Sequence, residues 1–473
     1  MAAPARPTEA GGTEASEPGT RRPWLGLGLL LALCAVYVAL AGLAAVPDSR
    51  LVLATAGGSP EWLLGPLSFL GLGAASGPAA GPLYYAGLCL ALALYAGVLA
   101  LAASISRRAA VLAVVSLHLL FALAPPLLSQ DVFSYIAYAR LGVVHGLSPY
   151  THAPLDIPSD PVFGFAGSKD AVSVYGPLFT LLTYPLAPLG VPAALWLLKA
   201  VAALSSLGIV ALVWRGAESL GRDPRLAALF VGLNPDVLVH VVGGAHNEAL
   251  VMLLVTAGLV AFIAGRASSA AVLATAAAGL KASAGLVVPF LIVGAAQAGK
   301  RDGPSARGSS HERRRPGASA SSLLRPAATA LATAGLIALM GLLGFGREAL
   351  DALDLINSNQ GRSSRFSLPY KTAQGLAAIG PGDRLDYRSG VRLAYALGFG
   401  VTFLVLLWRT WRGADPIRMA GWATLAILLA SAWLVPWYLL WLLPLAALAH
   451  DSRLRWATVA FTAWTLAIAI PFT

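Results

Sequence analysis

The chain has 473 residues, of which 57% are hydrophobic and 12% are charged. A soluble domain carries roughly 25% charged residues, so most of this chain must be solvated by lipid rather than by water. The formal net charge of +11 does not indicate nucleic-acid binding, because the arginines stand in short blocks between apolar runs, as in cytoplasmic loops. Composition therefore excludes an ordinary soluble protein and predicts an all-α polytopic membrane protein.

Two further features set the limits of the membrane domain. Residues 1–22 are rich in Ala, Gly, Pro and Glu, so they are predicted to form a disordered cytoplasmic tail before a membrane domain that spans residues 23–473. The first apolar run is longer than the core of a signal peptide and is predicted to be retained. Cys34 and Cys89 both lie inside apolar runs, so neither a disulfide framework nor a cysteine-based metal site is expected.

Apolar runs divide this domain into about 13 predicted membrane spans. In chain order they are Trp24–Val46, Pro82–Ala103, Ala109–Leu128, Gly176–Gly190, Pro192–Val213, Ala227–Gly243, Asn247–Gly265, Ser269–Gln297, Pro326–Gly344, Val391–Trp411, Met419–Leu434, Trp437–Leu448 and Trp456–Pro471. Two of these runs have a re-entrant segment as the alternative: the short run Gly176–Gly190 and the run Ser269–Gln297, which Lys281 interrupts.

Orientation follows from the basic segments, which the positive-inside rule assigns to the cytoplasm. Arg21-Arg22, Arg107-Arg108 and the basic loop 299–325 are predicted to be inside. The long polar segments 129–175 and 347–390 are then outside. One conflict remains, because the same count leaves three further arginines outside: Arg215, Arg222 and Arg225.

The sequence Ser-Gln-Asp that ends at Asp131 directly follows the third predicted span. Apolar residues after Asp131 recur at near-helical spacing and predict an amphipathic helix along the outer interface, with Tyr138 and Arg140 on its more polar side. A carboxylate at this depth is costly to keep ionised, which favours a catalytic role. The alternative is that Asp131 is the N-cap of that helix, and the two roles are compatible.

Histidines and tyrosines follow in the same outer segment, among them His145 and Tyr175. Metal binding is not favoured, because the spacing of His, Asp and Glu matches no known metal pattern. The tyrosines are either sugar platforms or aromatic residues of the membrane interface.

A second polar group, Asn234 to Glu248, ends in the sequence Gly-Gly-Ala-His-Asn-Glu. Asn234, Asp236 and the triplet His246-Asn247-Glu248 are costly beside lipid and are predicted to face the bundle interior, either as substrate contacts or as interhelical hydrogen-bonding groups. Lys281 stands alone in an apolar run, where it either snorkels or binds a phosphate.

The outer segment 357–372 contains a third group, the basic residues Arg362, Arg365 and Lys371. It is an exception to the positive-inside rule. An anionic lipid-phosphate ligand would account for it, and so would contact with lipid headgroups.

Together these stretches resemble a known family, the actinobacterial polyprenol-phosphate-mannose-dependent α-1,6-mannosyltransferases of lipomannan synthesis. The similar segments are Ser129–Gly142, His145–Thr151, Val174–Phe179, Asn234–Glu248 and Val435–Tyr438. Many related proteins have His-Asn-Asp where this chain has His246-Asn247-Glu248. The span count also places that triplet nearer the inner side, which argues against a direct catalytic role.

The resemblance implies a GT-C glycosyltransferase bundle in the plasma membrane, with its active site on the extracytoplasmic face and Asp131 as the general base. The implied donor is polyprenyl-phosphate mannose and the implied acceptor is a mannoside or glycolipid, with no cofactor and no metal. The candidate substrate-binding residues are Tyr138, Arg140, His145, Tyr175, His246, Asn247, Glu248, Lys281, Arg362, Arg365 and Lys371. The alternatives are a multi-span transporter or lipid flippase, and a GT-C enzyme that uses another polyprenyl-phosphate sugar.

Overall fold

The computed structural model describes residues 23–47, 49, 51–53, 60–70, 80–301, 318–349, 363–365 and 367–468. Within these residues all regular secondary structure is helical, and no strand occurs. The predicted all-α class is therefore confirmed. The predicted tail at residues 1–22 lies outside the described residues.

Seventeen α-helices form the described part of the bundle. They are α1 (Pro23–Ala44), α2 (Glu61–Leu64), α3 (Ala80–Ala100), α4 (Arg107–Leu123), α5 (Asp131–Val143), α6 (Pro177–Thr183), α7 (Gly190–Ser219), α8 (Pro224–Gly232), α9 (Glu248–Ile263), α10 (Ala267–Leu280), α11 (Val288–Arg301), α12 (Ala318–Phe345), α13 (Leu368–Ile379), α14 (Arg384–Trp411), α15 (Pro416–Ala430), α16 (Leu443–Leu448) and α17 (Ser452–Ile468). Between them lie a π-helix at Val237–Gly243 and short 3-10 helices, including Tyr184–Leu189, Ala282–Val287 and Pro436–Trp441.

Helix starts in this chain follow ordinary capping chemistry. The side chain of Ser106 accepts a hydrogen bond from the Ala109 amide at the start of α4, at 3.1 Å. Asp223 and Asp415 cap α8 and α15 in the same way, and each is followed by a proline at the first helical position. An oxygen acceptor at the N-cap satisfies amides that have no partner within the helix. The three helices therefore start directly after residue types that are typical N-caps.

Five helical segments are long and apolar enough to cross a membrane: Trp24–Ala44, Gly81–Ala100, Pro177–Ser219, Ser322–Phe345 and Arg384–Trp411. A sixth results if α8 and the π-helix, which are bent by 60° at their junction, count as one span. The remaining apolar helices have 10–17 residues. The protein is thus membrane-bound, while the total of 13 spans stays a prediction.

The loop between α7 and α8 lies beside the start of α4. Arg107 Nη1 is 3.6 Å from Glu218 Oε1, and Arg225 Nη1 donates to the Ile105 carbonyl at 2.9 Å. Arg222 and Arg225 therefore share one end of the bundle with Arg107, which we call the arginine end. The sequence-based placement of these arginines opposite Arg107 is wrong, and the conflict with the positive-inside rule disappears.

The error comes from the run Gly176–Gly190, which does not cross the bundle. Its first part is held by Tyr150, whose hydroxyl lies 3.1 Å from the Tyr175 carbonyl and 3.0 Å from Thr180 Oγ1. Its last part accepts a hydrogen bond from Arg140 Nη1 at the Ala187 carbonyl, at 3.0 Å. Both parts thus contact the segment that follows Asp131, at what we call the aspartate end. These contacts favour the re-entrant alternative for this run.

The run Ser269–Gln297 is broken at Lys281, as its sequence indicates. Helix α10 ends at Leu280, and Lys281 has an extended backbone (φ −152°, ψ 118°) before the chain resumes as a 3-10 helix and α11. The Gly176 amide donates to the Leu280 carbonyl at 2.9 Å. The break in this run therefore meets the start of the re-entrant segment.

Asn234 and Asp236 face the bundle interior, as predicted, and both are fully buried. Asn234 Nδ2 donates to Thr462 Oγ1 at 3.1 Å, and Thr465 Oγ1 donates to Asp236 Oδ2 at 2.5 Å. These bonds join the bend between α8 and the π-helix to α17. For Asn234 and Asp236 the structure favours interhelical hydrogen bonding over substrate contact.

Asp160 organises the segment between α5 and α6. Its side chain is 1% exposed and binds Arg140 Nε at 2.8 Å and His145 Nε2 at 2.8 Å. Burial raises the pKa of Asp160, but the hydrogen bonds from Arg140 and His145 outweigh it, and the pKa lies below its ordinary value. Two of the predicted substrate-binding residues thus bind this aspartate.

We expect Asp160→Asn to lower stability by about 3 kcal/mol, because it leaves Arg140 without its buried partner. In the wild type, a lowered folded pKa means that the Asp160 contribution is complete above about pH 4 and is lost as the pH falls through the folded pKa. Thermal unfolding of the purified protein between pH 3 and pH 7 measures both effects. Asp156→Asn is the matched control, because exposed Asp156 accepts one amide hydrogen bond that asparagine preserves. Equal losses in the two variants would contradict the assignment.

Candidate active site

Helix α5 places Asp131 but is not the amphipathic interfacial helix predicted from its sequence. Residues on all of its sides are buried, including the polar Ser134 and Tyr138. The prediction failed because α5 is covered by the re-entrant segment and by α7 as well as by the rest of the bundle. The N-cap is Gln130, and Asp131 is the first helical residue, so the capping alternative is also wrong. The carboxylate is 38% exposed.

The backbone before Asp131 is joined to the backbone before His246. The Leu127 amide donates to the carbonyl of Gly243 at 3.1 Å. Leu128 and Ala245 both have φ of +56°, and they are the only non-glycine residues with positive φ among the described residues. Non-glycine residues adopt this conformation only where the surrounding structure imposes it, and such positions cluster at functional sites.

His246 lies against Asp131, contrary to its predicted position nearer the inner side. His246 Nδ1 is 3.5 Å from Asp131 Oδ2 and 3.9 Å from Glu248 Oε2. The imidazole is fully buried and stacks on Trp437, with 3.7 Å between ring centroids and 19° between ring planes. The correction follows from the re-entrant run, because one crossing fewer before His246 moves this residue to the aspartate end. The imidazole thus forms the wall behind the exposed carboxylate.

Glu248 and Lys281 form a buried ion pair beside this wall. The Lys281 ammonium also faces aromatic rings, with 4.8 Å to the centroid of Tyr438 and 5.8 Å to those of Tyr175 and Trp441. Lys281 does not snorkel to water, because its side chain is only 15% exposed. A positive charge enclosed by a carboxylate and ring faces has few of its three donors committed, and it suits an anionic ligand.

Asn247 lies between His246 and Glu248 in the turn that carries both side chains. Its backbone amide donates to the Tyr135 hydroxyl at 3.4 Å, and Tyr135 packs edge-to-face on Tyr175 with 5.0 Å between centroids. The side-chain amide of Asn247 is buried, and neither of its polar atoms has a hydrogen-bond partner among the described residues. A buried amide without a partner is uncommon, and it is available to a bound hydroxyl-rich ligand.

The remaining predicted site residues in the described part of the chain are not seen in contact with Asp131, His246 or Lys281. Tyr138 donates to the Ala171 carbonyl at 2.9 Å, and Arg140 and His145 bind Asp160. Arg140 is nine residues from Asp131 on α5, or about 13 Å along the helix axis. Arg365 and Lys371 are exposed near the start of α13. Arg362 lies outside the described residues.

Three aromatic residues at this site were not among the predicted site residues: Trp437, Tyr438 and Trp441. They come from the 3-10 helix Pro436–Trp441. The sequence Val-Pro-Trp-Tyr is visible at the end of an apolar run, but only the fold brings it to His246 and Lys281. Among the described residues, no three side chains of His, Cys, Asp or Glu come close enough to ligate one metal ion.

The arrangement therefore has one accessible carboxylate in front of a buried polar wall, with a buried cation to one side. Comparison with protein families identifies the family of the chain. The family model described as alpha-(1->6)-mannopyranosyltransferase, N-terminal domain, matches residues 26–297, more than half of the chain. This chain belongs to that family. A second model, the MptB C-terminal domain, matches residues 385–472.

Curated relatives carry the same description. Alpha-(1->6)-mannopyranosyltransferase A of Mycobacterium tuberculosis is 30% identical over 74% of this chain and 67% of its own length. A probable alpha-(1->6)-mannopyranosyltransferase of Mycolicibacterium smegmatis is 28% identical over 72% of this chain and 65% of its own. For alpha-(1->6)-mannopyranosyltransferase A of Corynebacterium glutamicum the identity is 30%, over 36% of this chain and 35% of the relative. The chain thus spans at most about two thirds of these relatives.

No solved structure matches the chain. The predicted family is nevertheless confirmed, and with it the prediction that the protein is an enzyme of the glycosyltransferase class. Family membership favours this class over the transporter and flippase alternatives.

The Glu248–Lys281 pair is expected to show strong coupling in a double-mutant cycle. Glu248→Gln and Lys281→Met each leave one buried charge without its partner and should each cost about 3 kcal/mol or more. The double variant removes both charges and should unfold at a higher temperature than either single variant. Thermal denaturation of the four proteins in the same detergent measures this. Additive losses in the double variant would contradict a direct ion pair.

Proposed function

We propose that this protein transfers mannose from polyprenyl-phosphate mannose to a mannoside or lipomannan-type acceptor, forming an α-1,6 linkage. The reaction takes place at the aspartate end, which faces the extracytoplasmic side of the plasma membrane. Asp131 is the general base. The observation that carries the proposal is the position of Asp131, an exposed carboxylate directly in front of buried His246 and beside the Lys281 cation.

The proposed step is a single displacement. The acceptor hydroxyl oxygen bonds to the anomeric carbon of the donor, and the bond from that carbon to the phosphate oxygen breaks. The proton of the hydroxyl passes to Asp131, and the electron pair leaves with the phosphate. One displacement inverts the anomeric carbon, so a β-linked mannosyl phosphate yields an α-mannoside. A phosphate is a good leaving group, so one base suffices, without the acid-and-base pair of glycoside hydrolysis.

Asp131 suits the role of base better than the neighbouring carboxylate. Glu248 is fully buried and paired with Lys281, so an acceptor hydroxyl cannot reach it without breaking that pair. Asp131 is exposed on one side, and His246 Nδ1 lies behind it.

Lys281 is the proposed partner of the donor phosphate. Two hydrogen-bond donors close to it support this role, because Trp441 Nε1 and Ser283 Oγ are buried and have no hydrogen-bond partner among the described residues. The Trp441 ring lies 5.8 Å from the Lys281 ammonium. An ammonium with adjacent N–H and O–H donors stabilises the charge that develops on a departing phosphate.

An apolar cleft next to these donors is the proposed entry point for the first isoprene units of the donor, and its lining side chains must move apart to admit them, because its free volume is only about 10 Å³. Trp441 and Ser283 are among its lining residues, and the remaining lining is almost entirely aliphatic: Val251, Met252, Val255, Ala284, Leu286, Val287 and Thr424. A polar rim next to an apolar interior matches a phosphate with a hydrocarbon chain.

We expect Asp131→Asn to reduce transfer about 10²–10⁴-fold, the usual contribution of a general base. Asparagine keeps the size of the side chain but cannot accept the proton. The measurement is transfer of labelled mannose from polyprenyl-phosphate mannose to a synthetic mannoside in membranes. Asp156→Asn, an exposed aspartate of the same segment, should transfer at the wild-type rate. Wild-type transfer by Asp131→Asn refutes the base assignment, and competition with other polyprenyl-phosphate sugars identifies the donor sugar.

We expect Met252→Trp to raise KM for long-chain donors, because the larger side chain fills the cleft. KM for a donor with one or two isoprene units should rise as well, because its first units occupy the same cleft, while kcat should stay within about threefold of the wild type. Trp441→Phe keeps the ring and removes the N–H, so it should raise KM for donors of every chain length. Unchanged KM for both short and long donors would place the chain elsewhere.

A further inference from the structure

A buried lysine in α7 is not used by the proposed reaction. Lys199 is fully buried, and among the described residues no carboxylate lies within 4.0 Å of its ammonium. Lys199 Nζ donates to the Phe121 carbonyl at 3.0 Å and to the Gly243 carbonyl at 2.7 Å. An ammonium in the interior is costly unless its hydrogen bonds are made, so these two carbonyls hold a strong donor.

The two carbonyls belong to the two segments that carry the site. Phe121 is in the last turn of α4, and the chain continues from there to Asp131. Gly243 ends the π-helix three residues before His246. The Gly243 carbonyl accepts from Lys199 and from the Leu127 amide, so a single oxygen atom joins all three chain segments. Lys199 thus lies at the junction between the base and the imidazole behind it.

The backbone at this junction adopts a conformation that is unfavourable for residues with a side chain. Leu128 and Ala245, one in each segment, have φ of +56°. Packing around the junction is tight, since a Cβ at Gly243 would lie 2.8 Å from Leu127 Cδ1 and one at Gly244 would lie 2.4 Å from the His240 carbonyl. Residues in the left-handed region keep that conformation only while their surroundings enforce it.

A second contact between the same helices serves as a comparison. His118 of α4 and Ser206 of α7 form a buried hydrogen bond of 2.9 Å between Nε2 and Oγ. It connects α4 to α7 about one turn along α4 and about two turns along α7 from the Lys199 contact. It does not involve the segment that carries His246. A bond needed only to hold α4 against α7 is therefore available without a charged group, and what Lys199 adds is the bond to Gly243.

We propose that Lys199 is a positioning residue for the transfer step, which holds Asp131 and His246 together through the Gly243 carbonyl. The inference rests on the proposed roles of these two residues in catalysis. Its structural part, that Lys199 orders both segments, is measured separately from activity.

The experiment compares Lys199→Met with Ser206→Ala in lipid nanodiscs. Methionine keeps most of the volume of lysine and removes the donors. We expect Lys199→Met to lower kcat about 100-fold while KM for the donor changes less than about threefold, because a small displacement of reacting groups is enough for such a loss. Amide hydrogen exchange should rise about tenfold in peptides covering 125–131 and 243–248. Ser206→Ala should leave kcat and both peptides near the wild-type values.

Two further variants test whether the loss of activity comes from the hydrogen bonds of Lys199. Lys199→Gln retains a donor that reaches one carbonyl, so its kcat should lie between those of the wild type and Lys199→Met. In a His246→Ala background, adding Lys199→Met should lower kcat by a further factor of less than about three, because the imidazole that Lys199 positions is already absent.

Unchanged exchange in both peptides, or equal kcat losses in Lys199→Met and Ser206→Ala, would overturn the inference. If Asp131→Asn transferred mannose at the wild-type rate, that result would refute the proposed role of Asp131 in catalysis rather than the role of Lys199. The exchange data would still decide whether Lys199 orders the two segments.

Discussion

The buried ion pair between Glu248 and Lys281 is the interaction on which the site depends. Either charge alone would be very costly in the packed interior, so each is tolerated only because of the other. Glu248 begins α9, and Lys281 is the extended residue that follows α10. The pair therefore fixes the relative position of two helix ends. The turn that carries His246 directly precedes Glu248, so its position depends on the same pair.

The site combines the two regions that match family models. Asp131, His246 and Lys281 lie within residues 26–297, whereas Trp437 and Trp441 lie within residues 385–472. The stacking of Trp437 on His246 is one of the contacts that join the second region to the first, and it is the one at the candidate site. A protein that contained only the N-terminal region would have the charged groups without the aromatic face that covers them. Both regions are needed for a complete site.

Much of this architecture could be predicted from the sequence, because its signals are local. Composition indicates the membrane, caps such as Ser106 and Asp415 mark helix starts, and Lys281 marks a broken run. The contact between His246 and Asp131 could not be predicted, because the side on which His246 lies depends on how many earlier runs cross. A run of 15 residues such as Gly176–Gly190 has the same composition whether it crosses or returns. Burial of α5 also depends on distant segments that cover its polar side.

The partial exposure of Asp131 has a consequence for the energetics of turnover. Under the proposed reaction, the proton taken from the acceptor passes from this carboxylate directly to the water at the aspartate end. The donor phosphate is bound and released at that same end, so no net charge crosses the bilayer. Neither the membrane potential nor a proton gradient then drives or opposes the reaction. Cleavage of the sugar–phosphate bond alone supplies the driving force.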